Sequence, residues 1–230
     1  TAIQQAYVVG RTGALDQGGM AANSYIEFDK SIADPNHMEH ALNAMIAQHD
    51  MLRTILLDNG QQQVLKSVPA YQLVVTDLRG LSEKEQNAYR NNLRHTMSQA
   101  KRDQRSWPLF EMSLTRSHSG WRLHTCIDLL ILDAWSTKLF FGEWFARIAG
   151  KDIPDPPLIQ FKECMDMAAL QPPKLEQEYW REVLDKLPPA PKLPAPWPAA
   201  PETGQAKFHR FAAHVDAADW RAFVTQCRAH

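Results

Sequence analysis

Asp128 and Asp133 bracket an unbroken apolar run, Leu129-Leu130-Ile131-Leu132, and the chain then passes directly into a helix start, Ala134-Trp135-Ser136. Apolar runs bury, and an ionised carboxylate in apolar surroundings is costly unless it is paired or put to use. The passage predicts either a braced structural corner or an active site at the exit of a buried strand. Residues an odd number of positions apart on a strand point to opposite faces. Both aspartates can therefore meet one cavity only if the chain turns between them, and the helix after Asp133 implies such a turn. Asp133 reads locally as an N-cap, its carboxylate accepting from the backbone N–H of Trp135 or Ser136. Asp128, between Ile127 and Leu129, has no such local role and requires a basic partner or a polar cavity; Arg53 and Arg122 are the candidates.

Composition narrows the function classes. The chain has 230 residues, room for one large domain or two modest ones, with 44% hydrophobic and 22% charged residues, as in soluble globular proteins. A formal net charge of −1 argues against a nucleic-acid-binding surface, which needs a concentrated basic excess. No apolar stretch approaches the roughly 20 residues that span a bilayer, and no basic-then-apolar leader opens the chain. Cys126, Cys164 and Cys227 are odd in number and fit no zinc or disulfide spacing, so the expectation is a reducing cytoplasm and no metal.

The hydrophobic pattern predicts an α+β layer, a mixed sheet covered by helices. Thr1 to Gly19 reads as a short helix or turn leading into a loop, and 24–29 alternates as a half-buried strand. Asp34-Pro35 starts a helix that places Met38, Leu42, Met45 and Ile46 on one stripe. Residues 51–57 and 61–68 read as strands joined at Asp58-Asn59-Gly60, with a further strand at 71–76. A helix from Ser82 to about Lys101 opens on a Ser82/Glu85 capping box. Residues 110–116 and 121–132 pair as antiparallel strands across His118-Ser119-Gly120, and an apolar helix over 134–148 ends at Gly150. Two helices near 158–170 and 174–187 precede an extended proline-rich segment at 188–201; a strand at 208–215 and a helix at 217–227 close the pattern. A start without methionine and an end inside a helical pattern, Arg228-Ala229-His230, lead us to expect a fragment.

Other clusters read as structural. His124 and Asp128 share a strand face at i and i+4, but a lone strand histidine is more often a satisfied core residue, and Cys126 reads as a small core side chain. A paired-carboxylate hydrolase would need one carboxyl with a raised pKa in a polar cleft, which sequence does not show. Gly10-Arg11 and Gly18-Gly19 lack the spacing of a phosphate cradle. Trp135, Phe140, Phe141, Trp144 and Phe145 read as a helix buried over much of its circumference.

Four segments taken together resemble the heterocyclization domains of nonribosomal peptide synthetases, relatives of condensation domains and of chloramphenicol-acetyltransferase-like folds. Thr1-Ala-Ile-Gln4-Gln-Ala6-Tyr7-Val-Val-Gly10-Arg11 resembles the opening motif T-x-x-Q-x-A-Y-x-x-G-R. His49-Asp50-Met51-Leu52-Arg53 with Asn59-Gly60-Gln61-Gln62 resembles the second, and Asp128 through Ser136 matches D-x-x-x-x-D-x-x-S. Leu187-Pro188-x-x-Pro191-x-Leu193-Pro194 resembles the proline-rich motif. Gln48 departs from the arginine usual before the histidine, and Ala134 from a common glycine.

The resemblance implies a chloramphenicol-acetyltransferase-like lobe spanning 1–230, the N-terminal lobe of a domain whose C-terminal lobe lies outside it. It implies joining a carrier-bound acyl thioester to a carrier-bound Cys, Ser or Thr, then expelling water to form a thiazoline or oxazoline, as in siderophore biosynthesis. Substrates would ride on the phosphopantetheine of upstream and downstream peptidyl carrier proteins beside an adenylation domain, with no cofactor bound directly. Asp128 and Leu129 stand where ordinary condensation domains carry two histidines, so an imidazole base is missing there, and the acid–base group for water loss is expected in the other lobe. An amine with a reference pKa near 8 demands positioning more than a strong base. The resemblance assigns Asp128 and Asp133 to catalysis, Arg53 and Ser136 to support of the site, and Tyr7 and Arg11 to the substrate tunnel. It further implies a buried Asp133–Arg53 pair whose breaking would cost roughly 3–5 kcal/mol. The alternatives are an ordinary condensation or acyltransferase domain making amides or esters, and a non-catalytic module that docks a carrier protein.

Overall fold

The computed structural model describes residues 1–13, 18–30, 34–151, 153, 158–169, 174–189 and 213–229. Its centre is a four-stranded mixed sheet in the order β1 (Asn23–Lys30), β6 (Gly120–Asp128), β5 (Phe110–Ser117), β4 (Val74–Asp77). β1 and β5 flank β6 antiparallel, and β4 joins β5 in parallel. The expected hairpin is present, its register running from Phe110 opposite Ile127 to Ser117 opposite Gly120. Gly120 has φ 124°, a conformation that favours glycine.

Alternation on β6 assigns its two faces. Leu123 and Ile127 join the main core with α2 (Pro35–Gln48) and α4 (Ala134–Ile148). His124 and Cys126 face the other way, where the Cys126 thiol donates to the Met97 carbonyl (3.0 Å) of α3 (Glu83–Ser98). The stripe expected on α2, Met38, Leu42, Met45 and Ile46, is buried throughout. α4 has the expected bounds; Phe140, Phe141 and Trp144 are buried, and Trp144 Nε1 donates to the Met38 carbonyl at 3.1 Å. Trp135, by contrast, is exposed. Gly150, at φ 65°, closes the helix with its N–H on the Arg147 carbonyl.

Several boundaries differ from expectation. The opening segment is a full helix, α1 (Ala2–Arg11), because Thr1 and Gln4 form a capping box. The segment at 51–57 begins as a 3-10 turn (Asp50–Arg53), and only Thr54–Leu56 is strand, β2, paired with β3 (Gln62–Val64). The strand expected at 71–76 is shifted to Val74–Asp77. β6 stops at Asp128 rather than 132: the Leu129 N–H still reaches the in-register Ala22 carbonyl (2.9 Å), but the Leu130 and Ile131 N–H groups turn back to Asp128. Helices α5 (Phe161–Ala169), α6 (Lys174–Leu184) and α7 (Ala217–Ala229) follow. Most of the proline-rich segment 188–201 and of the strand expected at 208–215 lies outside the described residues, and 213–215 carry no regular structure. No helix among the described residues is long and apolar enough to cross a membrane.

Candidate functional site

α1 brings its motif residues onto one face by helical spacing. Gln4 is buried; its Nε2 donates to the Leu130 carbonyl (2.7 Å) and its Oε1 accepts from Gln62 Nε2 (2.8 Å). Tyr7, one turn on, is half-buried, and Arg11, a further turn on, is buried again. The Arg11 guanidinium pairs with the Asp128 carboxylate, both groups almost fully enclosed, and Arg11 Nη1 also donates to the Arg102 carbonyl (3.1 Å). Burial, with the Arg102 cation adding to it, holds the Arg11 guanidinium below its usual pKa.

Two sequence expectations are corrected here. The basic partner of Asp128 is Arg11, not Arg53 or Arg122, and neither Asp128 nor Arg11 is on the cavity wall. The cause is strand alternation: Asp128 shares the face of His124 and Cys126, away from the main core. Its carboxylate instead shapes the loop that follows, accepting from the Leu130 N–H (3.0 Å) while the Ile131 N–H donates to the Asp128 carbonyl (3.1 Å). The pair thus ties α1 to the turn the sequence required.

Asp133 sits on the other side of that turn. It is exposed and caps α4, accepting from the Ser136 N–H at 2.7 Å. The Ser136 backbone N–H, reinforced by its hydroxyl, lowers the Asp133 carboxyl below its ordinary pKa. The expected buried Asp133–Arg53 pair is absent. Arg53 turns instead to the end of α2, where terminal carbonyls lack helical partners. Its Nε donates to the Ile46 carbonyl (3.0 Å), Nη1 to the Leu65 carbonyl (2.7 Å) and Nη2 to Asp50 Oδ1 (2.6 Å). Arg53 therefore reaches the site only through Asp50.

Between α1, the 3-10 turn, the 129–133 loop, α4 and the start of α5 lies a cavity of about 780 Å³. Tyr7, Leu129, Asp133 and Ser136 line it, as do His49 and Glu143, whose side chains meet at 2.8 Å (His49 Nε2 to Glu143 Oε2). The structure thus brings together Tyr7, Asp133 and Ser136 and separates them from Asp128, Arg11 and Arg53. Sequence reading passed over Glu143, which gives no local signal; only the packing of α4 against the end of α2 makes it a wall residue. Gln48 accepts from Arg147, a contact that gives the departure from the usual arginine a local partner.

His124 and Cys126 are structural, as expected. His124 is fully buried, with Nδ1 on the Tyr25 hydroxyl (2.9 Å) and Nε2 on the Thr115 hydroxyl (3.0 Å), and burial lowers its pKa to about 4. Among the described residues no three His, Cys, Asp or Glu side chains converge as a metal site requires.

A sequence model of the condensation domain matches residues 12–230, and the chain belongs to that family. Within it the likeness is to the heterocyclization members. Pyochelin synthetase PchF of Pseudomonas aeruginosa (strain UCBPP-PA14) is 33% identical over 236 residues, covering 100% of this chain and 13% of that protein. Phenyloxazoline synthase MbtB of Mycobacterium sp. (strain MCS) is 31% identical over 196 residues, covering 84% of this chain and 16% of that protein. Among solved structures, the EpoB cyclization-docking bidomain from Sorangium cellulosum superposes with a TM-score of 0.75 at 27% identity, over 84% of this chain and 40% of that one. The α+β, chloramphenicol-acetyltransferase-like fold expected from the sequence is the fold found. The chain spans only 13% of the length of PchF.

Proposed function

We propose that this chain is the N-terminal lobe of a nonribosomal peptide synthetase heterocyclization domain, with the described cavity forming one wall of its substrate tunnel. The observation that carries the reading is Leu129. It stands on the cavity wall at the motif position where ordinary condensation domains carry an imidazole, between an aspartate that braces the loop and one that faces the cavity. The relatives' names, a pyochelin synthetase and a phenyloxazoline synthase, support a ring-forming product.

In the proposed reaction the acceptor amine attacks the donor thioester carbonyl. A C–N bond forms, the C–S bond breaks, and the amine's proton leaves with the phosphopantetheine thiol. The Cys thiol or Ser/Thr hydroxyl then adds to the new amide carbonyl, its proton passing to the carbonyl oxygen, and that oxygen, now a hydroxyl, departs as water with the amide N–H proton, leaving C=N in the ring. Asp133, kept ionised by its N-cap bonds, accepts a hydrogen bond from the amine or amide N–H and orients it; it is not the acid that protonates the departing oxygen. Asp128 and Arg11 hold the Leu129–Leu132 wall in place. Both reactants arrive on the phosphopantetheine arms of upstream and downstream carrier proteins beside an adenylation domain, and the C-terminal lobe supplies the opposite wall and the acid–base group.

The test is mass analysis of the product formed by the complete domain with both carriers loaded. Loss of one water beyond amide formation is expected. Accumulation of the open amide alone would assign the domain to ordinary condensation.

A further inference from the structure

Of the two glutamines that follow Gly60, one serves the turn and the other leaves it. Gln61 Oε1 accepts from Asn59 Nδ2 (2.9 Å) at the hairpin tip. Gln62, paired on β3 with Leu56 of β2, reaches 58 positions back along the chain to α1, where its Nε2 donates to Gln4 Oε1 at 2.8 Å.

Gln4 carries that contact inward. A side-chain amide has one donating and one accepting end of nearly the same shape, so its partners decide which way it faces. The accepting end of Gln4 takes hydrogen bonds from Gln62, from the Thr1 hydroxyl (2.9 Å) and from the Thr1 amino group (2.9 Å). Its NH2 is thereby turned to the Leu130 carbonyl at 2.7 Å. The Thr1 bonds are local to α1 and travel with it, whereas the Gln62 bond fixes the amide against a second element. The Leu130 carbonyl belongs to the turn that brings Leu129, Ile131 and Asp133 to the cavity wall. Asp128, itself held by Arg11, secures the N–H side of that turn, and Gln4 secures its C=O side. The end of β3 also supports another part of the wall. The Leu65 carbonyl, one residue past the strand, accepts from Arg53 Nη1 (2.7 Å), and Arg53 Nη2 holds the wall residue Asp50 at 2.6 Å.

We infer that Gln62 is a positioning residue for the reaction proposed above, whose cyclization reading supplies the rate it would tune. By donating to Gln4 it fixes the sense of that amide, and through the Leu130 carbonyl it sets the loop that carries Leu129 and Asp133. An acceptor in place of the Gln62 NH2 reverses the arrangement. Gln4 then turns its own NH2 outward and sets Oε1 against the Leu130 carbonyl, two acceptors face to face in a buried site.

The experiment uses the complete domain with both carriers loaded. Gln62→Glu reverses the sense of the bond at nearly unchanged shape, and Gln62→Lys keeps a donor. Gln62→Glu is expected to lower kcat for ring formation by about tenfold, with KM for the loaded carriers changed by less than about twofold. The Leu130 carbonyl-carbon resonance should shift in that variant as its donor is lost, while Gln62→Lys should keep most of the turnover. Adding Gln4→Lys to Gln62→Glu offers a donor to both the introduced carboxylate and the Leu130 carbonyl. Turnover is expected to recover severalfold over Gln62→Glu alone, which a merely structural loss at position 62 would not do. Should Gln62→Glu fail to fold, Gln62→Met, which removes the bond without reversing it, is expected to lose about threefold in kcat. Undiminished kcat in whichever of these variants is read, or an unmoved Leu130 carbonyl resonance in Gln62→Glu, overturns the inference and leaves the cyclization reading standing. If the unsubstituted domain releases only the open amide, the cyclization reading falls, and the Gln62 variants are judged by the same criteria on the rate of amide formation.

Discussion

The two aspartates share one motif and do different work, and the difference is measurable. Asp128 and Arg11 are an enclosed ion pair, so removing either partner strands the other's charge. Asp128→Ala and Arg11→Met are each expected to destabilise the fold by roughly 3–5 kcal/mol in urea denaturation. The double variant should lose clearly less than the sum of the two, because no charge is then left unpaired. Asp133, exposed and bonded to a helix terminus, behaves as a cap: Asp133→Ala should cost only about 1 kcal/mol. Its contribution to turnover is expected to be the larger one. Asp133→Asn, which keeps an acceptor for the Ser136 N–H but not the charge, should lower ring formation by about tenfold or more with little change in the urea midpoint. An Asp133→Asn domain of undiminished activity would remove Asp133 from the reaction.

At the scale of elements, α1 is the piece whose position matters most, because it spans from the cavity to the buried pair. Gln4 is its other anchor. Gln4→Ala leaves the Leu130 carbonyl without its donor and should cost about 1–3 kcal/mol. Amide exchange of Tyr7 and Val8 should quicken in that variant while exchange in α4 stays slow. Much of this level was legible in the chain. The α2 stripe, the α4 bounds, the β5–β6 hairpin and the Asp133 cap all rest on residues a few positions apart, where spacing and capping chemistry decide. The failures have a common cause in long-range choice. Arg11 lies 117 positions from Asp128, and nothing local distinguishes it from Arg53 or Arg122 as a partner. Residues 51–53 alternate well enough for a strand, but Arg53 is drawn to the free carbonyls of α2, and the backbone coils into a 3-10 turn to bring it there. The Gln4 anchor was visible only as a motif letter, since its target is a backbone carbonyl.

For the whole molecule, the sheet face under α3 sets the response to acid. His124 is neutral and fully enclosed, and its two nitrogens suit that state. The Tyr25 hydroxyl donates to Glu27 Oε1 (2.9 Å) and so accepts from Nδ1–H, while the Thr115 hydroxyl donates to Nε2. Protonation makes Nε2 a donor facing a donor. It also adds charge to a site where Glu27, 3.7 Å away, is already bonded to Arg94 and Arg122. The group's pKa is about 4 in the folded state against 6.5 for the free side chain, so between these values the unfolded chain binds the proton and the folded one does not. Stability then rises with pH through that window and is fully present above about pH 6.5. Between pH 7 and pH 4.5 the fold should lose on the order of 2 kcal/mol through this group. The loss is expected as a falling urea midpoint before the carboxylates titrate, and a folded His124→Gln variant should show a flatter profile. An unchanged slope in that variant would assign the acid response to groups other than His124.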